Sequence, residues 1–345
     1  VFGTFSGHEV QIFGFCGVIK FFPTLIVLSV DGFKFPCLVL CSHIVIVTVS
    51  VLIFAGTQIL PGDVAQSILG QSATPEALAN LRQELGLNDP AIVRYFNWLG
   101  GVLTGDLGTA LTTRQEITAT LGPRLWNTLF LAFWAAIVSV PLAILLGLLA
   151  VRYRNGPIDK AISGFALAST SFPEFFIGYL LVFFFAVKLQ WLPPISTVYD
   201  GMPFLDKLRA IVLPATALVL VVLAHMMRMT RAAILNVMQS AYIETAELKG
   251  LSAFEIIRKH ALPNAIAPII NVVMINLAFL IVGVVVVEVI FVYPGMGQYL
   301  VDHVAKRDVP VVQAVGLIFA AVYIFLNVVA DVASILANPR LRHPK

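Results

Sequence analysis

Charged residues are scarce in this sequence. Of its 345 residues only 12% are Asp, Glu, Lys or Arg, whereas 59% are hydrophobic, and the mean hydropathy is +0.92. A soluble globular domain carries about 25% charged residues, so this composition excludes that class and predicts an integral membrane protein surrounded by lipid. The formal net charge of +3 is too small to indicate a nucleic-acid partner.

The signatures of several catalytic sites are also missing. The sequence has no Gly-Lys dipeptide, which excludes a Gly-rich, Lys-bearing phosphate loop, and it has neither a His-Glu-x-x-His nor a Gly-x-Ser-x-Gly motif. Its three cysteines, Cys16, Cys37 and Cys41, lack the spacing of a metal site. We therefore expect no catalytic residue, no metal and no cofactor in this chain, and any ATP hydrolysis to occur in another subunit.

Long runs without charge, in contrast, are abundant. A helix that crosses the hydrocarbon core needs about 20 mostly apolar residues, and six stretches predict such helices. They are Cys37–Leu60, Leu125–Val151, Ala161–Val187, Ala210–Met227, Ala265–Val287 and Val309–Ala330. Pro141, Pro173 and Pro214 fall inside these stretches, and a bundle tolerates such kinks because neighbouring helices satisfy the freed carbonyl groups. The sequence thus predicts an all-α membrane protein with six spans.

Basic residues in the connecting segments set the predicted orientation. They cluster between spans two and three, between spans four and five, and after span six. The residues are Arg152, Arg154, Lys160, Arg228, Arg231, Lys249, Arg258, Lys259, Arg340, Arg342 and Lys345. Because loops rich in Lys and Arg stay in the cytoplasm, we expect these segments and the tail, 338–345, to be cytoplasmic. The alternate loops are then external, periplasmic in a Gram-negative cell.

The long external segment, 61–124, is predicted to be folded. Thr74, Pro75 and Glu76 form a helix start, and Gly86 ends that helix. A second helix starts at Asp89-Pro90 and precedes Gly100-Gly101, with Ile92, Phe96 and Leu99 on one face. Two interpretations stay open: the helices cap the bundle, or they form a docking surface for an external partner.

Residues 1–36 have no clear topology, since an extra span and a re-entrant segment both fit.

A polar patch interrupts the apolar chain between spans four and five. Tyr242 to Lys249 predicts a helix that Gly250 closes with a left-handed turn. Ser252 and Glu255 have the spacing of a capping box at the start of a second helix, which Pro263 is expected to end. Ile243, Phe254, Ile256 and Ile257 are expected to supply apolar contacts to a partner. Protein docking and an ordinary solvated loop are equally consistent with this chemistry.

The patch resembles the cytoplasmic loop of ABC importer permeases. Their pattern is Glu-Ala-Ala, three residues, Gly, nine residues, Ile, one residue, Leu-Pro, and this chain has Glu244-Thr245-Ala246, Gly250 and Leu262-Pro263 at those distances. Thr245 and His260 depart from the pattern. Further segments are similar to the dipeptide/oligopeptide/nickel branch of that family. They are LPGDVA, LGLNDPAIVRYFNWLGGVLTGDLG, LQWLPP, HALPNAIAPII, EVIFVYPGMGQYLVDHVAKRDVPVV and ADVASILANPRLRH.

The resemblance implies a six-helix type I ABC importer fold, with an ABC transmembrane domain over 125–337 and a coupling loop over 242–263. It also implies partners: a second homologous permease, two ATP-binding subunits, identical or different, that bind ATP and Mg²⁺, and a periplasmic solute-binding protein. The permease pair would form the pathway for peptides or a similar small solute. The residues implied in coupling to the ATPase are Glu244, Thr245, Ala246, Gly250, Ser252, Glu255, Leu262 and Pro263.

Two acidic residues of the apolar stretches are candidates for the pathway or its gate, since ionisable groups inside a membrane are costly. Glu174 follows Pro173 in span three, where it could line the pathway or pair with a hydroxyl at a break in the helix. Glu288 lies at the external end of span five, which favours a gate or a loop anchor over substrate contact. An alternative function for such acids is proton coupling in a secondary transporter without an ATPase.

Overall fold

The computed structural model of the chain describes residues 34–59, 64–69, 73–84, 86–199 and 201–337. The expectations for residues 1–33 and for the tail, 338–345, lie outside these ranges. Within them all regular secondary structure is helical, apart from one isolated bridge between Thr109 and Glu116. In chain order the helices are α1 (Lys34–Ile59), α2 (Val64–Leu69), α3 (Pro75–Glu84), α4 (Ala91–Thr104), α5 (Ile117–Arg152), α6 (Pro157–Ser171), α7 (Glu174–Leu181), α8 (Phe204–Met238), α9 (Ala241–Leu248), α10 (Ala253–Glu255), α11 (Leu262–Ile290), α12 (Met296–Ala305) and α13 (Val309–Ala337). π-Helical turns extend α7 over Val182–Lys188 and join α10 to α11 over Ile256–Ala261.

Five helical segments among the described residues are long and apolar enough to cross a membrane. They are α1, α5, α8, α13 and the continuous helix that runs from α10 into α11. The helix pair α6–α7 passes the same test together, so the count reaches six if that bent pair is one span. Pro141 and Pro214 lie inside α5 and α8, which continue through them.

The third predicted span is broken rather than kinked. α6 and α7 are bent by 103° at the break between Ser171 and Glu174. Phe172 (φ −94°, ψ 136°) and Pro173 (φ −61°, ψ 146°) are both extended, because the proline ring disfavours the α conformation of the preceding residue. The prediction of one span over 161–187 placed an irregularity correctly at Pro173, but it expected a kink within one helix rather than a bend of 103° between two helices.

Helix α8 lies at the centre of the bundle. In its most apolar window 67% of the residues are buried, compared with 22% in that of α1. It contacts α5, α6, α7 and α11, while α13 packs between α11 and α1. Helices α5 and α8 pack closely at Gly147, where an added Cβ would lie 2.9 Å from Cγ2 of Thr230. A small residue at this position therefore sets the spacing of the two helices.

The two helices predicted in the 61–124 segment are present, with one boundary changed. Thr74 Oγ1 accepts a hydrogen bond of 3.2 Å from the Ala77 amide at the start of α3, and Gly86 has a φ of +62° after its end. Helix α4 continues through Gly100 and Gly101 to Thr104 and ends at Gly105 (φ +85°). The predicted end at Gly100 was wrong.

Helix α4 packs on α1 through one polar and aromatic face. Tyr95 Oη lies 2.8 Å from Ser50 Oγ, and the Tyr95 and Phe54 rings meet edge to face at 5.3 Å. Ile92 and Phe96, two members of the predicted apolar face, are instead exposed. The face that packs therefore differs from the one that the helical spacing suggested.

Candidate functional site

The polar patch between α8 and α11 folds as a helical elbow, α9–α10, around Gly250. At the end of α9 the Gly250 amide donates to the Glu247 carbonyl at 2.9 Å and the Leu251 amide donates to the Ala246 carbonyl at 3.3 Å. These two bonds form a Schellman motif, and the φ of +79° at Gly250 is the left-handed conformation that the motif requires. The predicted helix and glycine turn are present.

The start of α10 is capped by Ser252. Its Oγ accepts a hydrogen bond of 3.3 Å from the Glu255 amide and lies 3.3 Å from Glu255 Oε2. Glu255 Oε1 is also 3.3 Å from Lys259 Nζ, one turn further on. The cap predicted from the spacing of Ser252 and Glu255 thus forms at the turn that follows Gly250.

Pro263 was predicted to end the second helix, but the helix continues through it into α11. Proline has no amide hydrogen and clashes with the carbonyl of the residue four positions earlier. The backbone adjusts by widening into the π-helical turn Ile256–Ala261. Asn264 Nδ2 donates to the His260 carbonyl at 2.7 Å, which satisfies one of the groups next to this turn. Helices α10 and α11 therefore form one continuous helix.

The inner side of the elbow is apolar and belongs to the bundle. Ile243, Ile256 and Ile257 are buried, which corrects the expectation that they contact a partner. They form one cluster with residues of α5, α8 and α11. Its buried members are Val151, Ile234, Ile243, Ala246, Ile256, Ile257, Ala261, Ala265 and Ile269. Full burial of each isoleucine contributes about 2 kcal/mol, so the elbow is held firmly to α8 and α11.

The outer side of the elbow carries most of the predicted coupling residues. Glu244, Thr245, Gly250, Ser252 and Pro263 are exposed. Glu255 and Leu262 are half-buried, whereas Ala246 faces the internal cluster.

The sequence analysis missed two large apolar side chains on this surface, Tyr242 and Leu248, whereas it named Phe254 among the residues expected to contact a partner. Leu248 is 88% exposed, and Tyr242 and Phe254 are also exposed. Leu248 lies on the side of α9 opposite the buried Ile243 and Ala246. The sequence alone does not say which side is buried, because both sides carry apolar residues. We call the exposed residues Tyr242, Glu244, Thr245, Leu248 and Phe254 the outer elbow surface.

An ion pair joins α6 to α8 on the elbow side of the bundle. Asp159, in the first turn of α6, accepts bonds from Arg231 Nε at 2.9 Å and Nη2 at 2.8 Å. The Asn155 amide adds a third bond of 3.0 Å. This pair was not foreseen, because its members are separated by 72 positions in the sequence.

At the opposite end of α11, Glu288 is fully buried and anchors α12. Its carboxylate accepts bonds from Thr128 Oγ1 at 2.6 Å, from the Gly297 amide at 2.7 Å and from the Gln298 amide at 3.2 Å. Thr128 Oγ1 in turn accepts from the Met296 amide at 2.8 Å. The first-turn amides of α12 are thereby satisfied by two side chains. These contacts are those of a loop anchor; the part that Glu288 plays in a gate stays a prediction.

Further hydrogen bonds hold the same end together. The buried Asp308 accepts from the amides of Leu111 and Thr112 at 3.1 and 2.9 Å. Tyr293 Oη donates to the Asn127 carbonyl at 2.9 Å. Burial, with a smaller effect of the nearby Glu288 carboxylate, raises the pKa of the Tyr293 phenol above its usual range. The phenol therefore stays protonated and keeps this bond.

Glu174 occupies the break in the bent pair. It is the first residue of α7, directly after the extended Pro173, and is half-buried. A Cβ on Gly283 of α11 would lie 3.5 Å from Glu174 Oε2, so the carboxylate lies against α11 about two turns before its end at Ile290. No hydroxyl partner is found for it among the described residues. The described part of the chain also holds no group of three or more His, Cys, Asp or Glu side chains arranged for a metal.

Comparison with known proteins identifies the chain. The family profile of the binding-protein-dependent transport system inner membrane component matches residues 139–343, which include the elbow. The chain belongs to this permease family. The profile of the N-terminal region of such membrane components matches residues 35–132.

Individual relatives align with almost the whole permease. The "Probable peptide ABC transporter permease protein y4tP" of Sinorhizobium fredii is 36% identical over 299 residues, which are 87% of this chain and 96% of that protein. The glutathione transport system permease protein GsiC of Salmonella typhi is 35% identical over 295 residues, or 86% of this chain and 94% of that protein. The permease is therefore similar to the dipeptide/oligopeptide branch that its motifs indicated.

A solved structure supports the fold. The inward-facing MetNI methionine ABC transporter has a chain that superimposes with a TM-score of 0.53 at 19% identity, covering 63% of this permease and 96% of that chain. At this identity the likeness concerns the fold alone. The permease thus shares the fold of that transporter chain.

The family membership fixes the class of function. The permease is the membrane subunit of an ATP-driven importer and a multi-pass protein of the inner membrane. It acts with ATP-binding subunits, where the hydrolysis occurs, and with a binding protein. The alternative of a proton-coupled secondary transporter finds no support in these relatives.

Proposed function

We propose that this permease pairs with a second, homologous permease to form the pathway for peptides or a similar small solute. The printed names of its relatives, which refer to peptide and glutathione transport, support this substrate class. The bent α6–α7 pair counts as one crossing in this proposal, which gives six spans. Glu174, against Gly283 of α11, then lies where it can meet the amino group of a peptide in the pathway.

The outer elbow surface receives an ATP-binding subunit. The single observation that carries this assignment is the two-sidedness of the elbow. Its inner isoleucines are buried between α8 and α11, while Leu248, Glu244 and Thr245 are exposed on its outer side. An exposed leucine beside acidic and small residues suits a protein contact better than a lipid contact, for which basic residues would be expected.

Rigidity is what such a contact needs. Moving a two-state bundle from 1:99 to 99:1 takes about 5.5 kcal/mol of differential binding. The Schellman turn at Gly250, the Ser252 cap and the continuous helix through Pro263 give the elbow few ways to deform. A force applied at Leu248 is therefore passed to α8 and α11 rather than lost in local bending.

The partners follow from this arrangement. Two ATP-binding subunits, identical or different, hold ATP and Mg²⁺ and dock at the elbows of the two permeases, while this chain holds no cofactor. The elbow end and the carboxyl terminus face the cytoplasm, in keeping with the basic residues there. The solute-binding protein docks at the Glu288 end. Glu288 then fixes α12 at the external gate through its bonds to Thr128 and Gly297.

Site-directed cross-linking tests the docking assignment. Leu248→Cys places a thiol at the most exposed apolar position of the elbow, and Leu205→Cys places one at the other end of α8, where Leu205 is 76% exposed. In membranes with the whole transporter, we expect a bifunctional maleimide to join Leu248→Cys to an ATP-binding subunit and Leu205→Cys not to react with it. Equal cross-linking from both positions, or none from Leu248→Cys, would refute the assignment.

A further inference from the structure

A cavity of about 290 Å³ opens at the Glu288 end, between the start of α5, the segment before α8 and the first turn of α8. Two cationic side chains, Arg124 and Lys207, line it. Trp126, Tyr199, Asn127 and Thr120 supply an aromatic and hydrogen-bonding wall. Among the described residues, no acidic side chain belongs to the lining. None of the functions described above uses this cavity.

Both cationic side chains are placed to contact an anionic ligand in the cavity. Arg124 is held in place, because its Nη1 donates to the Gly295 carbonyl at 3.3 Å and its guanidinium stacks 4.5 Å from the centre of the Tyr299 ring. For the half-buried Lys207 ammonium no hydrogen bond or ion pair is found among the described residues. The buried Glu288 carboxylate lies close enough to Arg124 to offset part of its charge. The Lys207 charge is not offset by any described lining residue, so the cavity attracts an anionic group.

The spacing of charges along the helices gives the level of the cavity in the membrane. Between Arg124 and Arg152, α5 has about 27 residues without charge, or about 40 Å of helix. Between Arg209 and Arg228, α8 has about 18, or about 27 Å. A bilayer has a hydrocarbon core of about 30 Å and measures about 40–45 Å with its headgroups. Arg124 and Lys207, two residues beyond Arg209, therefore lie in the headgroup layer.

An apolar stripe leads from the cavity into the hydrocarbon. On one face of α5, Trp126 is 67% exposed at the cavity rim, and Leu129, Phe133 and Ile137 follow it at helical spacing, all exposed. Tryptophan and tyrosine at such a boundary are typical of the membrane interface. The ligand that fits has an anionic head for the cavity and apolar chains for the stripe.

We propose that this cavity binds the phosphate of an anionic phospholipid, with its acyl chains along Leu129 and Phe133. Arg124 and Lys207 hold the phosphate oxygens, and Trp126 and Tyr199 flank the glycerol region. A carboxylate from a docking protein could neutralise the same two cations, but it would leave the stripe below the cavity without an occupant. The stripe therefore favours lipid.

The test counts bound lipid on the purified transporter complex by native mass spectrometry after reconstitution in nanodiscs. Wild-type complex is expected to retain phosphatidylglycerol about fivefold more tightly than phosphatidylcholine, since one lysine contributes about a fivefold preference for anionic lipid. Lys207→Ala should remove this preference and Lys207→Arg should keep it. Lys188→Ala is the matched control, because Lys188 is an exposed lysine of the preceding segment and lies outside the cavity.

Three results would overturn the proposal. The first is equal retention of the two lipids by the wild-type complex, which needs no variant and so does not depend on folding. The second is an undiminished preference in Lys207→Ala. The third is weaker docking of the solute-binding protein to Lys207→Ala with unchanged lipid retention, which would assign the cavity to a protein carboxylate. Since none of these readouts involves the elbow, they are independent of the coupling proposal.

Discussion

Asp159 and Arg231 form a bidentate ion pair that joins the first turn of α6 to α8. The bonds of 2.9 and 2.8 Å use both carboxylate oxygens, and the Asp159 side chain is only 7% exposed. Arg231 lies about three helical turns before the elbow on α8. Movement of the elbow end of α8 is therefore carried to the bent α6–α7 pair as well as to α11.

Removal of the arginine should destabilise the permease. Arg231→Ala leaves the Asp159 carboxylate buried without its cation, which lowers the free energy of unfolding by about 3 kcal/mol. Arg231→Lys should keep the ion pair but lose its bidentate geometry. The measurement is the thermal unfolding midpoint of the purified complex. Arg228→Ala is the control, since Arg228 is exposed on the same helix. A midpoint for Arg231→Ala equal to that of the control would rule out a structural role for the pair.

Loss of the Glu288 carboxylate should release α12. Glu288→Ala leaves the Thr128 hydroxyl and the Gly297 and Gln298 amides without their acceptor in a buried site, which costs about 3 kcal/mol or more. We expect faster hydrogen exchange in the first turn of α12. Glu116→Ala serves as control, because Glu116 precedes α5 without making a side-chain cap. Unaltered exchange in α12 would contradict the anchoring role.

The contribution of the Ser252 cap to the stability of the elbow can be measured by comparison with Ser240, whose side chain makes no capping hydrogen bond. Ser252→Ala removes the acceptor of the Glu255 amide and should loosen the start of α10 by about 1 kcal/mol. Ser240 precedes α9 but makes no side-chain cap, so Ser240→Ala should have no comparable effect. Hydrogen exchange of the amides from Ala253 to Ile257 measures the difference. Equal exchange in the two variants would show that the Ser252 cap does not hold the elbow.

Local signals in the sequence predicted the local structure of the elbow well. The positions of Ser252, Glu255 and Gly250 fix a cap and a left-handed turn whatever the rest of the chain does. Signals that depend on packing were ambiguous. Gly100 and Gly101 were predicted to follow α4, but they lie inside it, and Gly101 is needed there because an added Cβ would lie 2.9 Å from the Asp106 carbonyl oxygen. Pro263 was taken as a stop, but a π-helical turn accommodates it.

Contacts between distant parts of the chain could not be read from spacing. Arg231 and Asp159 meet across 72 positions and Thr128 and Glu288 across 160. The buried side of the short elbow helices was unpredictable for a related reason. Both sides of them carry apolar residues, and only the cluster around Ile234 decides which side turns inward.

If the elbow transmits the movement of an ATP-binding subunit, breaking its turn should uncouple transport from ATP hydrolysis, and Gly250→Pro breaks that turn. Proline cannot adopt the φ of +79° at Gly250, whereas Gly250→Asn tolerates it and is the control at the same site. In proteoliposomes with the whole transporter, we expect Gly250→Pro to insert normally but to take up no solute. Its ATP hydrolysis should also no longer respond to the solute-loaded binding protein, while Gly250→Asn works like wild type. Wild-type uptake by Gly250→Pro would show that the elbow does not transmit this movement.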